Sequence, residues 1–430
     1  MVSIQELDFT IDQLGERSIR SPMRAARFVT DADRILYHAS LAEIQSYWER
    51  GEEPPQITMA GPRRHLHFDP DATRAGIVTC GGLCPGLNDV IRALTLSLHF
   101  HYGVKRVYGF RYGYQGLNPA YGHRPLMLTP ELVDNIGQLG GTILGSSRGP
   151  QDVGVMVDTL VHRGVNILFT IGGDGTLRGA RAIAAEIARR KLDIAVIGVP
   201  KTIDNDIAYI QQTFGFQTAA QEAHTAVESA HAEATGAPNG VGLVKLMGRE
   251  SGFIAAYTTL VDSMVNFCLV PEASFTLDAF LPALRDRLQD RHHAVIAVAE
   301  GAGQDLFPPA ATRDKSGNVK LGDIGVLLRD KIKEYFDFIG MEVNLKYIDP
   351  SYTIRSIPAN AFDSAFCLML GHNAVHAAMA GYTNAVVGYW KDAFTLTPIT
   401  LAVSKRKQID PDGWLWSSVL ASTGQPRDLT

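Results

Sequence analysis

No run in this 430-residue chain is long and apolar enough to span a bilayer. The opening stretch, MVSIQELDFTIDQLGERSIR, carries acids where a secretory leader would carry an apolar core. No membrane partner is therefore expected. Cysteine is scarce: Cys80, Cys84, Cys268 and Cys367 have neither the paired spacing of a zinc site nor the density of a disulfide framework, which suits a reducing, cytoplasmic setting. An excess of basic charge is also missing. With 40 basic against 45 acidic residues and a net charge of -5, nothing favours nucleic acid or an anionic surface. Short-period repeats and low-complexity tracts are absent.

What the chain does have is 46% hydrophobic content, enough for sizeable cores, and a length that predicts two to three domains. Residues 1–70 read as a polar, proline-punctuated extension with one helix from Asp31 to Arg50, on which Ile35, Leu36, Leu41, Ile44 and Trp48 share a face. From Arg74 a strand, a glycine turn and a helix recur: Ala75 to Cys80 before Leu87 to Phe100, Val104 to Phe110 before Pro130 to Ile136, Ile167 to Ile171 before Thr176 to Arg190, then Ile194 to Val199. Such alternation predicts a parallel sheet covered by helices, with ligands beyond the carboxyl ends of the strands. A second lobe is expected from about Thr213. Its helix runs from Thr218 to Ala234 with Ala219, Ala223, Ala226, Val227 and Ala230 on one stripe, and its strands are Val241 to Met247 and Ala294 to Ala299. Phe362 to Met379 reads as a further helix and Ala385 to Tyr389 as a final strand.

Two strand ends carry the most chemistry. One apolar run closes in Gly172-Gly173-Asp174-Gly175-Thr176, where glycines let main-chain N–H groups approach phosphate oxygens and Asp174 offers a carboxylate to a phosphate-bound magnesium. The next closes in Pro200-Lys201-Thr202-Ile203-Asp204-Asn205-Asp206, a turn that delivers two more carboxylates, one to act as base and the other to orient it or hold the ion. Together they read as a phosphoryl-transfer site.

The stretches GIVTCGGLCPGLNDVIR, GSSRGP, TIGGDGT, VPKTIDND, KLMGRESG, AVAEG and YIDPSYTIR, between about Ala75 and Gly388, resemble the 6-phosphofructokinases. GGDGT alone also occurs in NAD and diacylglycerol kinases; the ordered set does not. The resemblance implies an α/β fold of two Rossmann-like lobes with mainly parallel sheets plus the N-terminal extension. Residues 71–212, completed by part of 356–400, would bind the donor, residues 213–355 the sugar phosphate, and 401–430 would form a C-terminal tail.

The implied reaction moves the γ-phosphoryl group of MgATP to the 1-hydroxyl of fructose 6-phosphate. By match to the family, Gly81, Arg148, Gly149, Gly173, Asp174, Gly175 and Thr176 meet the donor, and Asp174 and Asp206 serve the Mg2+. Asp204 is the general base, with Lys201 and Arg249 assisting. Thr202, Ile203, Met247, Gly248, Arg249, Glu300, Lys346, Tyr352, Thr353, Ile354 and Arg355 face the acceptor. Pyrophosphate-using members carry aspartate at the position of Gly175, where it conflicts with the α-phosphate of ATP; they share Lys201. Gly175 together with Lys201 is the combination of ATP-dependent enzymes from plants and kinetoplastids, which selects ATP here. The alternatives are pyrophosphate as donor and a non-catalytic regulatory subunit.

The family further implies a homo-oligomer of two or four copies and, often, allosteric sites. Lys346 stands where shorter bacterial enzymes carry an arginine donated by a neighbouring subunit, but Gly240 replaces a second such arginine. Two other signals carry no site: His372 and His376 at i, i+4 lie among small residues and suggest packing, and Cys80 and Cys84 read as buried small side chains.

Overall fold

The computed structural model describes residues 7–25, 27–308, 312 and 319–430. The remaining stretches of the expected extension and acceptor lobe lie outside the described residues. The fold is α/β and divides into two compact units. Unit 1 comprises residues 1–202, 207–214 and 358–405, and unit 2 comprises 203–206, 215–357 and 406–430.

In unit 1 the strand order from one edge is Arg34–Leu36, Gln56–Met59, Ala393–Pro398, Ala385–Trp390, Ala195–Pro200, Ile167–Gly172, Arg74–Thr79, Arg106–Phe110 and Leu126–Met127. The five strands from Ala385–Trp390 to Arg106–Phe110 run parallel, and antiparallel strands extend both sides. Every residue of Ile167–Gly172 and Ala195–Pro200 is buried, as central strands covered on both faces require. The helix Asp174–Arg189 places Leu177, Ala180, Ile183, Ala184 and Ile187 on its buried stripe, against Leu168 and Val196 among others.

Unit 2 holds a four-stranded, wholly parallel sheet in the order Phe267–Leu269, His293–Ala299, Gly240–Leu246, Asn344–Ile348. The helix Phe216–Thr235 buries Ala219, Ala223, Val227 and Ala230, with Ala226 at the margin. Small residues let it approach the sheet closely. A Cβ on Gly242 would come within 2.6 Å of the Ala230 carbonyl oxygen.

Several expectations change: strands at 34–36 and 56–59 of the expected extension join the sheet of unit 1, and residues 203–206, expected in the donor lobe, belong to unit 2. The helix over Asp31–Arg50 is instead a strand, Arg34–Leu36, paired with Gln56–Met59, followed by a helix confined to Leu41–Glu49. Leu41 and Trp48 are exposed while Tyr47 is buried, so the apolar spacing of the sequence did not mark the packed face. The helix from Leu87 is α-helical to Leu96 and continues as a π-helical turn, Ser97–Tyr102. Residues 401–430 are no tail: they hold the helix Trp414–Thr423, and Leu429 is buried in the core of unit 2.

Candidate functional site

Each unit holds some of the residues expected from the motifs. In unit 1, the Ile167–Gly172 strand turns directly into the helix Asp174–Arg189, with Gly173 as its N-cap. A Cβ on Gly172 would lie 2.1 Å from Thr176 Oγ1, and one on Gly173 would lie 3.3 Å from the Lys201 carbonyl oxygen. The absence of side chains thus permits a tight strand-to-helix turn whose first N–H groups have no intrahelical acceptor. Such a helix start suits phosphate oxygens. Thr176 is buried, and its carbonyl accepts a hydrogen bond from Tyr114 Oη at 2.6 Å. Gly175 is exposed, and a Cβ there would meet nothing within 4 Å.

The neighbouring strand ends complete this cradle. Gly81 follows Arg74–Thr79 with φ +87°, its N–H donating to the Ser147 carbonyl and its carbonyl accepting from Ser146 Oγ. The Gly81-Gly82 turn is thereby stitched to the loop that carries Arg148, which is exposed, and Gly149, whose φ is +104°. Lys201 is buried at the end of Ala195–Pro200, and its Nζ donates to the Gly82 carbonyl. Thr202 accepts at its carbonyl from Thr213 Oγ1, which anchors the last residue of unit 1 before the chain leaves it.

Asp174 is largely buried, and its Oδ2 receives Arg178 Nε at 2.9 Å one helical turn on. A hard carboxylate oxygen at the start of a helix fits a magnesium ion bound with substrate phosphate. Among the described residues no cluster of three or more His, Cys, Asp or Glu could hold a metal. Mg2+ needs no such cage, since it commonly takes one or two carboxylates and fills its other positions with water and phosphate.

In unit 2, the segment Ile203–Asp206 is fixed by its neighbours. Asp204 is half-buried and its carbonyl accepts from Ser251 Oγ. Asn205 adopts φ +52°, a conformation asparagine tolerates better than most residues. Asp206 is buried, and its Oδ2 accepts from Arg406 Nη1 at 2.8 Å. Ile203 is buried as well, so its main chain rather than its side chain is available to a ligand.

Of the residues expected on the acceptor side, Arg249 and Arg355 lie near enough to act on Glu300, which follows the strand His293–Ala299. Burial pushes its carboxyl above the usual range, opposed by Arg249, Lys245 and Arg355 and reinforced by Asp349. Met247 and Arg249 are half-buried beside Gly248, whose φ of +133° and whose approach to the Ser251 carbonyl exclude a side chain. Arg249 also donates to the Val319 carbonyl. Arg355 lies with its guanidinium 4.9 Å from the ring centre of Tyr352, which is exposed. Both sit on the short helical turn that includes Thr353. Ile354 on the same turn is fully buried and anchors it. Lys346 is exposed on the edge strand Asn344–Ile348.

Sequence reasoning missed Arg406 and Lys407, which bind the Asn205-Asp206 pair through Arg406 Nη1 to Asp206 Oδ2 and Lys407 Nζ to Asn205 Oδ1. The only local signal was the run Lys405-Arg406-Lys407, which resembles an ordinary solvated basic patch. The two signals set aside agree with burial. All four cysteines are buried, with the Cys80 thiol pushed up to about 12 by desolvation. His376 shares a hydrogen bond with Tyr102 Oη at 2.8 Å.

Comparison with known proteins identifies the family. The family model described as Phosphofructokinase matches residues 74–378. An ATP-dependent 6-phosphofructokinase of Amycolatopsis methanolica is 49% identical over 440 residues, covering 98% of this chain and 96% of that protein. One of Trypanosoma cruzi is 50% identical over 424 residues, covering 97% of this chain and 87% of that protein. Among solved structures, a pyrophosphate-dependent phosphofructokinase from Marinobacter aquaeolei aligns with a TM-score of 0.68 at 18% identity, over 82% of this chain and 92% of that one, which is a likeness of fold. With a family match over most of its length and relatives near half identity from end to end, the chain belongs to the phosphofructokinase family.

Proposed function

We propose that the protein transfers the γ-phosphoryl group of MgATP to the 1-hydroxyl of fructose 6-phosphate, giving fructose 1,6-bisphosphate and MgADP. The bond from O1 to the γ-phosphorus forms, the bond from that phosphorus to the β,γ-bridging oxygen breaks, and the hydroxyl proton passes to Asp204. Asp204 is the family's aspartate by position, on a segment held from both sides by Ser251 and by Lys407 at Asn205. General-base assistance of this kind contributes about 10²–10⁴-fold. Arg249 and Arg355 supply guanidinium groups suited to the acceptor's 6-phosphate, and Glu300 an acceptor for its hydroxyls. Met247, Gly248, Thr353 and Lys346 complete that side.

On the donor side, N–H groups at the start of Asp174–Arg189, the Gly81 turn, Arg148 and Lys201 face the developing negative charge. Asp174 would offer its carboxylate to the donor's Mg2+, with Asp206 a second candidate, and the ion would supply positive charge against the donor phosphates. Alignment and charge stabilisation then supply most of the rate. The reading includes a cytoplasmic homo-oligomer with allosteric control; among the described residues no helix is long and apolar enough to cross a membrane.

The observation that carries the choice of donor is Gly175, around which there is open space where a side chain would begin. Lys201 favours the second reading, with pyrophosphate as donor, and a comparison of donors separates the two. Purified protein given fructose 6-phosphate and Mg2+ is expected to turn over with ATP and to be slower by orders of magnitude with pyrophosphate. Robust turnover with pyrophosphate and none with ATP would reverse the donor assignment. No turnover with either would favour a regulatory subunit.

A further inference from the structure

Within unit 2 the chain returns after a long detour, and residues 406–409 lie along the two loops that bear Asp204 and Arg249. Four contacts define this strap. Arg406 Nη1 donates to Asp206 Oδ2 at 2.8 Å, the Lys407 N–H donates to the Asp206 carbonyl at 2.9 Å, and Lys407 Nζ donates to Asn205 Oδ1 at 2.9 Å. Farther along, Gln408 Nε2 donates to the Glu250 carbonyl at 2.9 Å. Glu272 ties the same pieces together from below, its carboxylate accepting from the N–H groups of both Gly252 and Ile409.

The strap adds to the contacts that hold this segment. Ile203–Asp206 is only four residues of unit 2, and Asn205 sits at φ +52°, whose cost, modest for asparagine, the surrounding contacts must offset. Both Asn205 and Asp206 are buried, and each receives a long basic side chain from the strap. Burial pushes the Lys407 ammonium down to about 7 against the pull of Asp206.

We infer that Arg406 and Lys407 are positioning residues for catalysis: they fix the Asp204–Asp206 turn, and through it the carboxylate that takes the hydroxyl proton. The inference rests on Asp204 being that base. Neither residue needs to touch a substrate for this. A misplacement of about 1 Å at a reacting group can cost about 10²-fold in rate.

Kinetics of strap variants test it. Arg406→Ala is expected to lower kcat about 10²-fold with KM for fructose 6-phosphate within about threefold of the parent, the pattern of a lost transition-state alignment. Arg406→Lys, which keeps a cation, recovers most of that loss. Lys407→Met, which keeps the aliphatic stem and removes the donor, lowers kcat about tenfold with Tm within about 3 °C. Parental kcat in Arg406→Ala and Lys407→Met overturns the inference, as does a rise in KM at unchanged kcat. A fall in Tm with full activity per folded enzyme overturns it too, since the strap would then be structural only. If Arg406→Ala does not fold, Lys407→Met and Arg406→Lys decide by the same criteria. Asp204→Asn separates the two levels: parental turnover there removes the base assignment, whereas an inactive Asp204→Asn beside fully active strap variants removes only the strap's role.

Discussion

Gly172 and Gly175 stand three residues apart in one motif, and geometry gives them different jobs. At Gly172 a methyl group would run into Thr176 Oγ1, so Gly172→Ala forces the helix start off the strand. The expected cost is about 1–3 kcal/mol, visible as a lower Tm, with activity falling as well because the proposed phosphate cradle shifts. At Gly175 a side chain has room. It also lies in the first turn of Asp174–Arg189, where a carboxylate meets the positive end of the helix dipole favourably. Gly175→Asp is therefore expected to keep Tm within about 2 °C of the parent while lowering kcat/KM for ATP by at least about 10²-fold. Calorimetry and steady-state kinetics on the two variants check both halves. Unchanged ATP kinetics in Gly175→Asp would remove this glycine from the account of donor choice.

At the scale of elements, the helix Ala361–Met379 and the π-helical turn Ser97–Tyr102 bring three imidazoles together. The ring centres of His101 and His372 are 5.0 Å apart, and those of His101 and His376 are 6.5 Å apart. Burial is the main cause that pushes His376 down to about 3 and His372 down to about 4, and the neighbouring imidazoles, together with Arg63 at His376, add to it. In the unfolded chain both would accept a proton near pH 6.5, while in the folded chain they do not until far lower pH. The unfolded state therefore binds more protons between these limits. Stability is retained above about pH 6.5 and erodes as the pH falls toward 4. The drop in Tm between pH 7 and pH 5 is expected to be smaller in His372→Gln than in the parent by about 2–4 °C. Equal slopes in a paired thermal series would show that this cluster does not govern acid sensitivity.

Elements were readable in the sequence where the local pattern and the tertiary role coincide. The strand before Gly172 is apolar because it is buried on both faces, and the alanine stripe of Phe216–Thr235 is small because the sheet comes close; both facts are written in consecutive residues. Arg34–Leu36 failed for the opposite reason. Its strand character depends on pairing with Gln56–Met59, and the apolar spacing from Ile35 to Trp48 mimicked a helical face that the fold leaves partly in water. Of the candidate site, the residue types and their order were legible from the motifs. The strap was not, because a Lys-Arg-Lys run looks like solvent-exposed charge until the fold brings it to Asn205 and Asp206.

For the molecule as a whole, the C-terminal residues close unit 2. Phe267–Leu269 is an edge strand, and an open edge is costly when its backbone is buried. Gln425 covers it: the Cys268 N–H donates to Gln425 Oε1 at 2.6 Å, and Gln425 Nε2 donates to the Cys268 carbonyl at 3.3 Å, so one side chain imitates the next strand. Just beyond it, Leu429 enters the core and its carbonyl accepts from the Thr276 N–H at 2.7 Å. Gln425→Ala leaves two buried backbone groups without these partners, and the expected loss is about 1–3 kcal/mol, read as a lower denaturation midpoint at unchanged slope. Removing residues 414–430 goes further, since it also uncovers the helix Phe253–Asp262 against which Trp414–Thr423 packs. That truncation is expected to abolish cooperative folding of unit 2, including the strap that precedes it, and with it all turnover. A truncated protein that unfolds cooperatively at the parental Tm would show that the edge is protected in some other way.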